Sequence, residues 1–430
     1  MRRFADAVAV AGTVLVFLSF ALPAYAAAGD LDPTFGVGGK VTTEFSSRDG
    51  FFNTVAWQTD GKLVSAGESG ASGSNPKLAL ARYNADGSLD TTFGEDGEVT
   101  TDFTSKEDFA TFVAIQADGK IVAVGESGGG GPNPKFALAR YNADGSLDTS
   151  FDADGKLTTD FSQGEDLAWT VAVQPDGKIV AGGDALGHNP TWALARYNTD
   201  GSLDTSFGGD GRVTTDFTSY PEDLLALAIQ PDGKILAAGG SGYGKPNENF
   251  VLARYDTDGS LDMSFGVGGK VTTSFTRNPD VAFAMLLQAD GQIVVAGQAS
   301  LAVRPTFALA RYNPDGSLDS SFGQDGKVTT DFTPGGDDGA YTMTFQADGK
   351  IVAAGQAGGK NYNWKFALVR YNTDGSLDTS FGGDGKVTTD FTDGYEAAYG
   401  VAIQDDGKIV AAGPSGCCPP EVAVARYLAA

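Results

Sequence analysis

Arg140-Tyr141-Asn142-Ala143-Asp144-Gly145-Ser146-Leu147-Asp148-Thr149-Ser150-Phe151 belongs to a unit that also holds Gln116-Ala117-Asp118-Gly119-Lys120 before it and Lys156-Leu157-Thr158-Thr159-Asp160-Phe161 after it. The unit recurs along the chain. Arg-Tyr pairs start at Arg82, Arg140, Arg196, Arg254, Arg311, Arg370 and Arg426, spaced by 56 to 59 residues. The turn acids Asp60, Asp118, Asp176, Asp232, Asp290, Asp348 and Asp406 keep the same beat, at 56 to 58. A fixed period of this length marks a repeat architecture, in which each unit is one supersecondary element that buries its faces against its neighbours.

Within the second unit, β-type runs alternate with turn chemistry, which predicts four strands. Phe112 to Gln116 reads as strand a, Lys120 to Val124 as b, Phe136 to Tyr141 as c and Lys156 to Phe161 as d. Ala117-Asp118-Gly119 between a and b is a tight hairpin turn, with Gly supplying the positive φ. Strands b and c are apolar or small on both faces, as in Ile121-Val122-Ala123-Val124 and Phe136-Ala137-Leu138-Ala139. That pattern suits a sheet covered on both sides. Seven such sheets predict an all-β fold, a seven-bladed β-propeller spanning residues 29–430. The ends support closure. The last unit stops after strand c, at Arg426-Tyr427, while Lys40-Val41-Thr42-Thr43-Glu44-Phe45 is a spare strand d. The N-terminal strand is therefore expected to complete the C-terminal blade, removing both open edges.

Ahead of the repeats, Arg2 and Arg3 precede an apolar run from Ala7 to Leu22 and the small-residue site Ala24-Tyr25-Ala26. This order is that of a secretory signal peptide over residues 1–26, cut after Ala26, which implies a secreted or extracytoplasmic protein with no membrane insertion afterwards. The formal charge of the 430-residue chain is -25, which argues against nucleic acid and anionic lipid as partners. The single His, His188, makes His-based triads and His-rich zinc sites poor candidates. Cys417 and Cys418 are adjacent and cannot staple distant segments.

The run Asp-Gly-Ser-Leu-Asp-Thr-Ser-Phe-Gly, then Lys-Val-Thr-Thr-Asp-Phe, then Gln-Pro-Asp-Gly-Lys-Ile-Val-Ala-Ala-Gly and Phe-Ala-Leu-Ala-Arg-Tyr-Asn resembles the delta-60 repeat of bacterial secreted β-propellers. It is similar in part to propeller repeats of the NHL and YVTN type. The resemblance covers residues 29–430 and implies the fold and an extracytoplasmic setting, with no catalytic residues to carry over.

In a propeller the a–b and c–d turns share one face, here called the turn face, and the b–c and d–a loops share the other, the loop face. The recurring turns fall on the first and the sequence variation on the second, where a rigid scaffold usually carries recognition. Two sets of side chains stand out there. Asp108, Asp166, Glu222, Asp280, Asp338 and Glu396 lie ten residues before each turn Asp, with Asp49 one place out of register. If they converge, they bind a hard cation such as Ca²⁺ or raise one another's pKa. Otherwise each acid holds its own loop through backbone N–H groups. Tyr220, Tyr243, Tyr362 and Trp364 fall in variable loops and offer aromatic faces to sugar rings. Trp192 replaces a strand-c Phe and is assigned to the core. The recurring Arg is expected to pair with an acid of the c–d link.

Two classes of function follow. The first is a monomeric, non-enzymatic binding or scaffold protein that recognises an extracellular polysaccharide or protein through the loop face and needs no cofactor. The second is an extracellular hydrolase or lyase using the acidic ring, with or without a bound divalent cation such as calcium. The near-equivalence of the acids from blade to blade favours the first, because an acid/base pair needs two carboxyls in unlike environments.

Overall fold

The computed structural model describes residues 27–43, 51–70, 75–162, 164–186, 191–218, 220, 222–242, 248–276, 279–301, 304–332, 334–359, 363–392, 394–416 and 421–429. Its strands, numbered β1 to β28 in chain order, form seven four-stranded antiparallel sheets. The second blade is typical, with β6 (Glu107–Ile115), β7 (Ile121–Gly129), β8 (Lys135–Tyr141) and β9 (Lys156–Thr159) in spatial order. The inner strands β2 (Phe51–Trp57), β6, β10 (Glu165–Val173), β14 (Glu222–Ile229), β18 (Asp280–Leu287), β22 (Gly339–Phe345) and β26 (Gly400–Ile403) each touch the next, and β26 touches β2. The ring is closed, and the chain is a seven-bladed β-propeller.

The last blade has the expected composite form. β26, β27 (Ile409–Ser415) and β28 (Glu421–Tyr427) are completed by β1 (Lys40–Thr43), with Lys40 opposite Ala425 and Thr43 opposite Val422. The apolar cores lie between blades, each built from strands b and c of two successive sheets. One joins Val122, Val124, Phe136 and Leu138 to Ile179, Ala181, Ala193 and Tyr197. Trp192 is fully buried in another, edge-on to Phe217 at 4.6 Å between ring centres.

The turn face is riveted by one motif. Arg82 donates through Nε to Asp90 at 2.7 Å, and the same pair recurs as Arg140–Asp148, Arg196–Asp204, Arg254–Asp262, Arg311–Asp319 and Arg370–Asp378. The seventh pair, Arg426–Asp32 at 2.9 Å, spans the two ends of the chain. Each guanidinium lies over a Phe ring at 4.5 to 4.8 Å, as Arg140 does over Phe151. Through Nη1 each also reaches a carbonyl of the following blade, as from Arg140 to Thr199 O at 2.6 Å, and Arg426 closes the circle onto Ala85 O at 3.0 Å. The c–d link is held by Asx turns, such as Ser88 N to Asp86 Oδ1 at 2.9 Å.

Strand a begins earlier than its sequence suggests: in the second blade it runs from Glu107, not Phe112. The cause is a β-bulge that interrupts the alternation of side chains. Ala110 faces Gly125 and Phe112 faces Val124, leaving Thr111 unpaired.

Candidate functional site: the loop-face mouth of the channel

The bulge recurs on the inner strands and determines what faces the channel. It leaves out Asn53, Thr111, Trp169, Leu225, Phe283 and Tyr341 in blades one to six. Tyr399 occupies the equivalent place just before β26, its N–H bonded to Ala412 O. The bulge also explains a fixed Gly in strand b. A Cβ on Gly125 would stand 2.0 Å from the carbonyl oxygen of Phe109, and Gly183, Gly239, Gly297, Gly355 and Gly413 meet the same obstruction at 1.8 to 2.0 Å. The scaffold is thus constant while the bulged side chain is free to differ, and it differs in every blade except for the two Tyr.

On blades five to seven the bulged residues are aromatic and touch. Phe283 meets Tyr341 edge-on at 5.1 Å between ring centres, and Tyr341 meets Tyr399 in the same way at 5.1 Å. The Tyr399 and Tyr395 hydroxyls share a hydrogen bond of 2.5 Å, and Tyr395 packs edge-on to Trp364 at 5.6 Å. These are favourable aromatic geometries. All five side chains are half-buried, so each keeps a surface toward solvent. Burial raises the phenols of Tyr341, Tyr395 and Tyr399 above the ordinary tyrosine value, so they remain neutral hydroxyls. Trp364 stands where other units have Pro76, Pro134, Pro190, Pro305 and Pro420. Unlike Pro it has an N–H, which it donates to Gly394 O at 3.0 Å, tying the rim of β24 (Trp364–Tyr371) to the loop that carries Tyr395.

Blades one to four carry acids instead. Glu68, Glu126 and Asp184 occupy one rung of strand b, where the later blades have Gly240, Gln298, Gln356 and Pro414. Across the seam from them stand Glu107, Glu165 and Asp223, near the starts of the next inner strands. Burial raises the Glu68 carboxyl, and Glu107 adds to the effect. Glu126 is pushed to about 7 by burial and then by Glu165, Glu107 and Asp108. Asp223 is raised to about 6 by burial. Asp184 is raised well above its ordinary value by burial and by Asp223, although Leu224 N and Trp169 Nε1 both donate to it. Among the described residues none of these six acids pairs with a Lys or Arg.

The six described acids of the sequence-defined ring are placed differently from a converging set. Asp108, Asp166, Glu222, Asp280, Asp338 and Glu396 are each 0 to 1% exposed. Each is turned into its own loop. Asp108 accepts from Phe103 N and Thr104 N with one oxygen and from Gly128 N with the other, and Asp166 accepts from Phe161 N and Ser162 N. Glu222, Asp280, Asp338 and Glu396 cap Phe217, Phe275, Phe332 and Phe391 N–H groups in the same way. The loop-holding alternative describes them, and the ring does not present its carboxylates to a ligand. Of the loop aromatics, Trp364 joins the aromatic arc and Tyr220 is 47% exposed near the rim between blades three and four. Asp49, Tyr243 and Tyr362 lie outside the described residues, as do His188, Cys417, Cys418 and the leader with its Ala26 site. No group of three or more His, Cys, Asp or Glu among the described residues is placed to hold a metal ion. No helix among the described residues is long and apolar enough to cross a membrane. Two turn-face clefts of about 460 and 690 Å³ are lined by the repeating Gln, Asp, Lys and Arg set, so they distinguish no blade.

The repeat itself matches a family model described as a β-propeller domain of unknown function, DUF5122, at residues 58–93, 116–151, 174–207, 230–265, 288–322 and 346–381. The chain belongs to the DUF5122 β-propellers. This agrees with the delta-60-type repeat read from the sequence. A search of curated proteins gives no match. Among solved structures, an inactive variant of virginiamycin B lyase from Staphylococcus aureus, bound to quinupristin, is similar with a TM-score of 0.51 and 9% identity, covering 90% of this chain and 98% of that one. The polysaccharide lyase Uly1 is similar at 0.51 and 11% identity, with 92% of each chain covered. Sqt1 from Chaetomium thermophilum reaches 0.50 at 12% identity, over 94% of this DUF5122 chain and all of the other. At such identities these likenesses speak to the fold alone.

Proposed function

We propose that this DUF5122 propeller is a secreted, non-enzymatic recognition protein that holds a polysaccharide across the loop-face mouth of its channel. One observation carries the reading: the aromatic arc of Phe283, Tyr341, Tyr399, Tyr395 and Trp364, whose members touch one another yet are not fully buried. The C–H faces of pyranose rings are apolar and pack on aromatic faces, while neutral phenols exchange hydrogen bonds with sugar hydroxyls. A structural role alone would bury these rings, as it does Trp192. The leader-like N-terminus and the acidic charge fit an extracytoplasmic glycan and oppose nucleic acid.

The test is titration calorimetry against a panel of neutral, amino and acidic oligosaccharides, with the double variant Tyr341→Ala, Tyr399→Ala. At least one glycan binds the parent, and the variant, shown to be folded by its cooperative melting, loses about tenfold or more in affinity, the weight of two stacking contacts. Unaltered affinity in the variant overturns the reading.

A second reading, a hydrolase or lyase, draws on Asp184 and Asp223. These are two carboxyls in unlike environments, one held by Trp169 Nε1 and a backbone N–H, the other raised by burial alone, as an acid/base pair requires. New reducing ends or unsaturated products from a bound glycan, lost in Asp223→Asn, would establish it over simple binding.

A further inference from the structure

The seam between the second and third blades contains a carboxyl that no described residue compensates. Glu126 is 4% exposed, yet it receives no hydrogen bond from any described residue. The charged groups that face it are Glu107 and Asp108 of its own blade and Glu165 of the next, all acidic. A carboxyl covered this far without a donor is costly, and the acids about it, of which Glu107 and Glu165 are themselves exposed, add to that cost. On the turn face every comparable Asp has its Arg.

The carboxyl lies close against a residue with no backbone reason to be Gly. Gly128 and Gly130 have positive φ, at 87° and 67°, but Gly129 between them does not. A Cβ on Gly129 would stand 2.6 Å from Glu126 Oε1 and 3.1 Å from Glu107 Cβ. The equivalent rung in the third blade, opposite Glu165, is Leu186. Gly129 thus leaves room for the Glu126 carboxyl itself, and any side chain there would displace it.

We infer that this seam, Glu107, Glu126 and Glu165 beside Gly129, is a seat for a protonated primary amine, so that the polysaccharide held on the aromatic arc is one bearing free amino groups. The inference rests on the glycan-binding reading and narrows its ligand. An ammonium offers three donors to acceptors spread around it, the complement of carboxyls that are grouped but not gathered closely enough to coordinate a metal ion. A uronate or sulfated chain would meet repulsion at the same place.

The experiment compares a glucosamine oligomer with its fully N-acetylated counterpart by calorimetry at neutral pH, on the parent chain, Glu126→Gln, Gly129→Ala and the Tyr341→Ala, Tyr399→Ala variant, with melting temperatures as a check on folding. The amino oligomer binds the parent about tenfold or more tightly than the acetylated one, the range of a charge-assisted hydrogen bond. Glu126→Gln and Gly129→Ala each remove most of that difference and leave the acetylated oligomer unaffected. Equal binding of the two oligomers, or a preference unchanged in both seam variants, overturns the amine seat. If the tyrosine variant still abolishes binding in that case, the glycan reading survives; if no oligosaccharide binds at all, both fall. Tighter binding of oligolysine than of the amino oligomer, or stabilisation by Ca²⁺ that Glu126→Gln removes, assigns the seat to another occupant and also overturns it.

Discussion

The two faces of this ring solve the problem of charge in opposite ways. On the turn face each buried Asp has an Arg, a hydroxyl two residues on and, in six of seven blades, a Lys, as Asp204 has Arg196 at 2.8 Å, Ser206 and Lys178 at 3.0 Å. The seventh, Asp319, receives Gln292 instead of a Lys. On the loop face Glu68, Glu107, Glu126, Glu165, Asp184 and Asp223 have no cation among the described residues. One face repeats the same Arg–Asp pair at each seam and so compensates its buried charge. The other differs from blade to blade, with acids that no described cation meets in one arc and aromatic rings in another. The contrast separates what holds the molecule together from what it offers to a partner.

The largest effect should come from breaking the circle. Deleting residues 29–43 removes β1 and Asp32 together, leaving Arg426 without its carboxylate and β28 with an open edge. Aggregation, or a melting temperature lowered by tens of degrees, is expected in calorimetry and size-exclusion chromatography. An equally stable monomer would contradict closure as the source of stability. Next in size is Arg196→Ala, which leaves the buried Asp204 to Lys178 and Ser206 and cuts the link to Thr257 O of the following blade. A loss of about 3 kcal/mol is expected from denaturant unfolding, in the range for removing one partner of a buried pair. The Tyr341→Ala, Tyr399→Ala change on the loop face removes packing and no charge pair, so its cost should not vary between about pH 3 and 7, whereas that of Arg196→Ala should shrink as Asp204 is protonated.

The smallest effect is a pH dependence of opposite sign on the two faces. Burial alone would raise the turn-face acids, but hydrogen bonds from neighbouring Ser, Thr and Lys, with the Arg, bring Asp378 to about 2 and hold Asp32, Asp90, Asp204 and Asp262 lower still. Their stabilisation is present above the unfolded carboxylate value of about 4 and is lost as pH falls toward 2. Glu126 at about 7 and Asp223 at about 6 act in the other direction. Their contribution is complete below the unfolded value of about 4 and is lost as pH rises through 6 to 7. Melting temperature should therefore peak at mildly acidic pH. Glu126→Gln should raise it on the alkaline side by about 1 kcal/mol equivalent, with solvent screening part of the repulsion, and leave it unchanged near pH 4.

Most of the ring was legible because its period, turns and split seventh blade are written in residues with one structural meaning. The Arg pairs and Trp192 were readable for the same reason. The aromatic arc was not, because it sits on a bulge. Skipping Thr111 and its equivalents breaks the period-two alternation, so the first half of strand a reads as loop and Tyr341 or Tyr399 as part of it. The clue lay in the fixed Gly125 series, whose φ is ordinary and whose purpose is a close approach of backbone. The acids ten residues before each turn were correctly counted, but spacing does not reveal direction. Asp108 points back to Phe103 N and Thr104 N, not toward the channel. Trp364 was visible in a variable loop, and its replacement of Pro was the stronger signal.

The pairing of Asp32 with Arg426 joins residues 394 positions apart. It sets an order of events. During synthesis from the N-terminus, the strand that seals the last blade exists first and finds its partner last, so it waits unpaired while six whole blades form. The ring has no finished intermediate with fewer blades, and a chain cut short anywhere before β28 leaves that first strand exposed. Completion of the ring is thus a test that synthesis has reached β28.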